Sequence, residues 1–122
     1  MAKYEKALVG NFNELLNWLN NDITNGSISV SYEDGSDITM GQVKLAVRVY
    51  ERYSMTGGNR VSLNITIIGD GDGQNLFVSA ITSRGSQALF FKINTIGENA
   101  FLKLCIDSVE KYISQHPQRV IY

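Results

Sequence analysis

The chain has 122 residues, 43% hydrophobic and 19% charged, with eleven basic side chains against twelve acidic and a net charge of −1. That length fits a single domain over residues 1–122, with 116–122 as a tail, and the composition excludes an intrinsically disordered chain. Because Lys and Arg form no block, nucleic acid is not an expected partner: a nonspecific binder needs clustered cations to neutralise phosphates.

Cys105 is the only cysteine and His116 the only histidine. No intramolecular disulfide can form, no multi-Cys zinc site exists, and no His/Asp/Glu spacing suggests another metal, so neither metal nor cofactor is expected. The apolar patch at 7–9 is too short for a secretory core or a membrane span. No membrane is expected, and the cytoplasm is the expected compartment.

Residues 4–9 alternate as a first strand ended by Gly10. Asn11 then reads as a helix N-cap, with Glu14 three positions on as in a capping box. Phe12, Leu15, Leu16, Leu19 and Ile23 make one apolar stripe, Trp18 lies at its edge, and Asn13, Asn17, Asn20 and Asn21 face water. Asn25-Gly26 supplies a left-handed stop. Residues 27–32 alternate again, with Ile28, Val30 and Tyr32 inward. Glu33-Asp34-Gly35-Ser36-Asp37 reads as a polar turn, followed by a short strand at 38–40.

The strongest signal is a hairpin. Val43, Leu45, Val47 and Val49 alternate with Lys44, Ala46, Arg48 and Tyr50, and Val61, Leu63, Ile65 and Ile67 alternate with Ser62, Asn64 and Thr66. Thr56-Gly57-Gly58-Asn59 joins the two runs. Gly69-Asp70-Gly71-Asp72-Gly73 turns into a strand at 76–82, Ser83-Arg84-Gly85-Ser86 turns again, and 88–93 is apolar enough for a last strand. Thr95 and Glu98 form a capping box for a C-terminal helix with Phe101, Leu102, Cys105, Ile106, Val109, Tyr112 and Ile113 on its apolar face, stopped by Pro117.

The predicted order is β-α-β-β-β-β(-β)-α: an α+β two-layer sandwich with one antiparallel sheet of five or six strands, covered on one face by two helices. This order resembles the TATA-binding-protein-like topology or a shortened helix-grip fold, a likeness of connectivity that carries no function. The segments at 51–64, 79–87 and 90–95 resemble a small uncharacterised bacterial domain-of-unknown-function family across nearly the whole chain. That resemblance implies a compact domain and brings no activity.

Catalytic parts are few. The Gly/Asp turn at 69–73 lacks both the spacing and the following helix of a dinucleotide fingerprint. As a calcium loop it puts Asn75 and Ile81 where Gly and Glu belong. Cys105 reads as a buried structural thiol, and His116 as a solvated helix-end residue.

With the odd-numbered hairpin residues under the helices, Arg48, Tyr50, Arg52, Ser62, Asn64 and Thr66 share the other face, and Arg60 stands at its end. Such a face is either plainly solvated or an interface, since Tyr and Arg concentrate at binding hot spots. Three functional readings follow. The first is a non-enzymatic binding or assembly module that pairs this polar face with a copy of itself or another protein. The second is a carrier of a small apolar ligand between sheet and last helix, suggested by Phe90, Phe91, Phe101 and Tyr112. The third is an enzyme using Glu51, Arg52 and Arg60. The first is preferred.

Overall fold

The computed structural model of the chain describes residues 1–26, 29–53, 60–71, 75–84 and 91–116, with 91–98 described as backbone alone. Its elements are β1 (Ala2–Val9), α1 (Phe12–Asn25), β2 (Val30–Met40), β3 (Val43–Tyr53), β4 (Arg60–Gly69), β5 (Asn75–Arg84) and α2 (Phe91–Gln115). The five strands form one open antiparallel sheet in the order β1-β5-β4-β3-β2. The α+β class, the single antiparallel sheet and the two helices agree with the sequence pattern. The expected turn at 56–59, the inward Ile28, the residues 85–90 and Pro117 with the tail lie outside the described residues.

The Gly/Asp stretch links two antiparallel partners, β4 and β5, which pair from Gly69↔Leu76 onward, and its residues 72–74 lie outside the described residues. Across its mouth the Asp70 N–H reaches the Asn75 carbonyl at 3.2 Å, and Asn75 Nδ2 donates to the Asp70 carboxylate at 2.7 Å.

Two expectations about strands are overturned. Residues 33–37 are not a turn: β2 runs unbroken from Val30 to Met40, with one irregularity between Tyr32 and Asp34. The turn lies later, at Gly41-Gln42, where Met40 pairs with Val43 and Gly41 takes φ +60°, as two-residue hairpin loops require. A polar pentapeptide can stay extended here because β2 is an edge strand: its backbone pairs with β3, and its side chains have little to pack on. Charged residues on such an edge also discourage further strand addition. The second correction is at 88–93. The described part, 91–93, is helical, so α2 begins at Phe91 and the Thr95/Glu98 capping box falls inside the helix. A short apolar run that has lost its alternation does not distinguish a strand from a buried helix start.

The helix-side core is built from Leu63, Ile65 and Ile67 of β4 and Val78 and Ala80 of β5. These pack with Leu15, Leu19 and Ile23 of α1 and Phe101, Cys105, Val109 and Tyr112 of α2, all essentially inaccessible. Fully burying one such large side chain stabilises the fold by about 1.5–3 kcal/mol. The α1 stripe is the expected one, and Asn11 caps the helix, its side chain accepting the Glu14 N–H at 2.9 Å. The helix ends at Asn25 as expected, but Gly26 is right-handed (φ −79°) and closes the last turn on the Ile23 carbonyl rather than through a left-handed stop.

The returning arm of the capping box is rerouted. The Asn11 N–H donates to the Tyr112 hydroxyl at 3.1 Å, and that hydroxyl donates to Glu14 Oε1 at 2.8 Å. A side chain of α2 thus stands inside the cap of α1. Nearby, Trp18 Nε1 donates to the Ser108 carbonyl at 2.9 Å, and the Ser108 hydroxyl donates to Asp22 at 2.7 Å. His116 is not simply solvated. Its ring stacks on Tyr112 at 3.9 Å, and Nε2 lies 3.1 Å from Glu14.

Candidate functional site

The register decides which residues share a face. In the β3–β4 hairpin Tyr53 pairs with Arg60, Tyr50 with Leu63 and Arg48 with Ile65, so every even position of β3 stands beside an odd position of β4. Cross-strand partners project to the same side of a sheet. Arg48, Tyr50 and Arg52 therefore lie with Ile65, Leu63 and Val61 on the helix-covered side. Ser62, Asn64, Thr66 and Arg60 lie on the opposite, uncovered side. The predicted row does not form as one surface: its arginines and tyrosine are separated from its hydroxyls and amide by the sheet itself. The odd-inward assumption holds for β4 and fails for β3.

On the helix side each of the three is engaged. Tyr50 is buried and donates to Asn20 Oδ1 at 2.8 Å, so Asn20 is not a purely solvated position. Burial, partly offset by Arg48, pushes the Tyr50 phenol up to about 12. Arg48 pairs with Asp37 at 2.9 Å and donates to the Val47 carbonyl, also at 2.9 Å. It stands between two shallow clefts of about 330 and 240 Å³ where α1 overhangs β2 and β3. Arg52 lies 6.0 Å over the Phe101 ring.

The uncovered face has its own order. Following partners from strand to strand gives a transverse row, Ala7–Phe77–Ile68–Leu45–Ile38, that crosses all five strands and is apolar at every position. Ile38, Ile68 and Phe77 are 46%, 37% and 40% exposed, large values for side chains of this size in one line. Val43 and Met40 extend the band at one end. The next rows are mixed, Glu5–Ser79–Thr66–Val47–Ser36 and then Lys3–Ile81–Asn64–Val49–Asp34. Thus β3 turns its more apolar series, Val43, Leu45, Val47 and Val49, away from the helices. A contiguous apolar band of this kind marks an interaction surface more often than a solvated one.

Sequence reasoning missed Leu45 because it placed the apolar series of both hairpin strands in the core, and it assigned Ile68, Phe77 and Ile81 to neither face. The signal was present in the loop. An even number of residues between Tyr53 and Arg60 forces even–odd pairing, and both apolar series cannot then face one side.

Glu51 joins Ser62 and Arg60 at the far end of the uncovered face. Ser62 donates to its Oε2 at 3.3 Å, Arg60 Nε lies 2.8 Å from its Oε1, and the Arg60 guanidinium sits 5.4 Å over Tyr53. The Glu51 carboxylate, with Tyr53 second, raises the Arg60 guanidinium above its usual range. Arg52 is on the other side, so Glu51, Arg52 and Arg60 do not converge. Cys105 is fully buried, and burial pushes its thiol up to about 12, the opposite of an activated nucleophile. Phe101 and Tyr112 are core residues with no exposure. Among the described residues no group of three or more His, Cys, Asp or Glu could hold a metal ion, and no helix is long and apolar enough to cross a membrane.

A family model described as a family of unknown function, DUF6054, matches residues 1–113. No curated protein and no solved structure matches the chain.

Proposed function

As the chain belongs to DUF6054, a family of unknown function, we propose its role from geometry: a non-enzymatic binding or assembly module that works through the uncovered face of its sheet. The observation that carries this reading is the apolar row from Ala7 to Ile38, together with the outward turn of the apolar side of β3. A sheet with a merely solvated face alternates apolar-in and polar-out on every strand. Here β4 and β5 follow that rule in part, and β3 inverts it. The working surface is therefore Leu45, Ile68, Phe77 and Ile81 with Ser62, Asn64 and Thr66 around them, rather than the arginine–tyrosine row. A cytoplasmic setting is supported by the single buried, unpaired thiol. We read the β-α-β-β-β-β-α order as kin to the TATA-binding-protein-like topology, at the level of connectivity and without its activity.

Hydroxyl-radical footprinting in cells producing the chain tests the reading. Phe77, Ile68 and Met40 are expected to be protected in cells and reactive in purified protein at nanomolar dilution. Equal, high reactivity in both would refute a covered face.

A further inference from the structure

Resting on that reading, we infer that the occupant of the uncovered face is a second copy of this chain, packed sheet to sheet about a two-fold axis that runs along β4. Area is the first argument. Five strands at about 4.8 Å spacing and the eight residues of β1 at about 3.3 Å each span roughly 600 Å² of plane per copy. Face-to-face packing of two copies then removes about 1,200 Å² in all, which reaches the range of stable interfaces before side-chain relief is counted.

Complementarity is the second argument, and it selects the axis. A two-fold axis along β4 lays β1 of one copy over β2 of the other and β5 over β3, while each transverse row meets its own equivalent. The apolar row then closes on itself: Ile68 meets Ile68, Phe77 meets Leu45, and Ala7 meets Ile38. In the next row Thr66 meets Thr66, Ser79 meets Val47 and Glu5 meets Ser36; in the row beyond, Ile81 meets Val49, Asn64 meets Asn64, and Lys3 at the β1 edge meets Asp34 at the β2 edge. Among the described residues neither Lys3 nor Asp34 forms an ion pair within its own chain. An axis along the apolar row would close that row as well, but would carry Lys3 and Asp34 past the ends of β1 and β2 of the facing copy, so the Lys3–Asp34 meeting is what selects the β4 axis. The β4 axis yields the aligned sheet packing common to β-sandwiches and a closed, isologous dimer with four layers, helices outermost.

Sedimentation equilibrium of the purified full chain, with circular dichroism as the folding control, tests this. The wild type is expected to be a dimer at micromolar concentration. Ile68→Lys, which sets two like charges against each other on the axis, is expected to weaken it by at least about 100-fold, and Ile81→Lys, off the axis, serves if that variant fails to fold. Lys3→Asp is expected to weaken the dimer by roughly three- to tenfold, and Lys3→Asp with Asp34→Lys to restore it. A monomeric wild type at 100-fold higher concentration would overturn the second copy, and protection in cells would then still support a covered face. A dimer indifferent to both lysine variants would also overturn it. A charge exchange that restores nothing would overturn the β4 axis.

Discussion

Removing one oxygen tests how α1 is capped. In Tyr112→Phe the ring keeps its place against Trp18, 5.4 Å away edge to face, and under the His116 ring. Two hydrogen bonds disappear: the Asn11 N–H loses its acceptor, and Glu14 loses its donor. The part-buried N–H at the helix start is left unsatisfied, at a cost of about 1–1.5 kcal/mol. The Glu14 side chain is 53% exposed and can turn to water, so its bond counts for about 0.5–1 kcal/mol. The expected loss is about 1.5–2.5 kcal/mol, which lowers Tm by roughly 5–10 °C for a domain of this size. Urea unfolding followed by the fluorescence of Trp18, the only tryptophan, measures it directly. The midpoint is expected to fall at unchanged slope. A double-mutant cycle with Glu14→Ala is expected to show a coupling of about 0.5–1 kcal/mol. A loss below about 0.5 kcal/mol, or strict additivity in the cycle, would refute the shared hydroxyl.

Adjacent isoleucines provide a second test, of the face assignment. Ile67→Ala opens a cavity in the core and should cost about 2–5 kcal/mol, whereas Ile68→Ala on the uncovered face should cost under about 1 kcal/mol in the monomer. Comparable losses in monomeric protein would contradict the register. Gly10→Ala places a Cβ about 2.5 Å from the Tyr112 hydroxyl and 2.7 Å from its ring, so it is expected to destabilise through backbone shift, with only partial relief in Tyr112→Phe. The pH dependence follows from groups held protonated. Burial pushes Cys105 and Tyr50 up to about 12, and burial followed by the Glu110 acceptor raises Tyr4 further. Above their ordinary values of 9.0 and 10.0 the unfolded chain releases protons that the fold retains, so stability is full below about pH 9 and falls as pH rises to about 12. Denaturant midpoints that stay level from pH 9 to 11 would contradict this.

Periodicity located β1, the buried face of α1 and both strands of the long hairpin, because each carries a clean repeat of two or of 3.6 residues. It failed where the repeat has no core to report on. The 33–37 segment is polar because an edge strand has solvent on both sides, and a local rule reads polarity as a turn. The start of α2 failed for the reverse reason: Phe90-Phe91 is apolar in consecutive positions and selects no period. The candidate surface failed on parity alone. Arg48, Tyr50 and Arg52 do line up on one face of β3, as alternation requires. Which side of the sheet that face joins depends on the pairing with β4, a non-local fact that the pattern of neither strand contains. The tyrosine in the α1 cap was equally invisible, since its hydroxyl arrives from 101 residues away.

The strand order has a kinetic consequence. β2 to β5 form a meander of neighbours joined by local turns, each able to pair soon after it is made. By contrast, β1 pairs only with β5 within the sheet, Lys3 waiting for Ile81. During synthesis the first strand therefore leaves the ribosome long before its partner, and the sheet closes last at the edge that began the chain. Closing so long a loop costs more entropy than any of the hairpin turns, so β1 docks after the rate-limiting step, once the meander is in place. Substitutions in β1 should accelerate unfolding and leave the folding rate nearly unchanged, and those at the Gly41-Gln42 turn should do the opposite. Stopped-flow folding of the two classes of variant would read that order, and a folding rate that drops with β1 substitutions would reverse it.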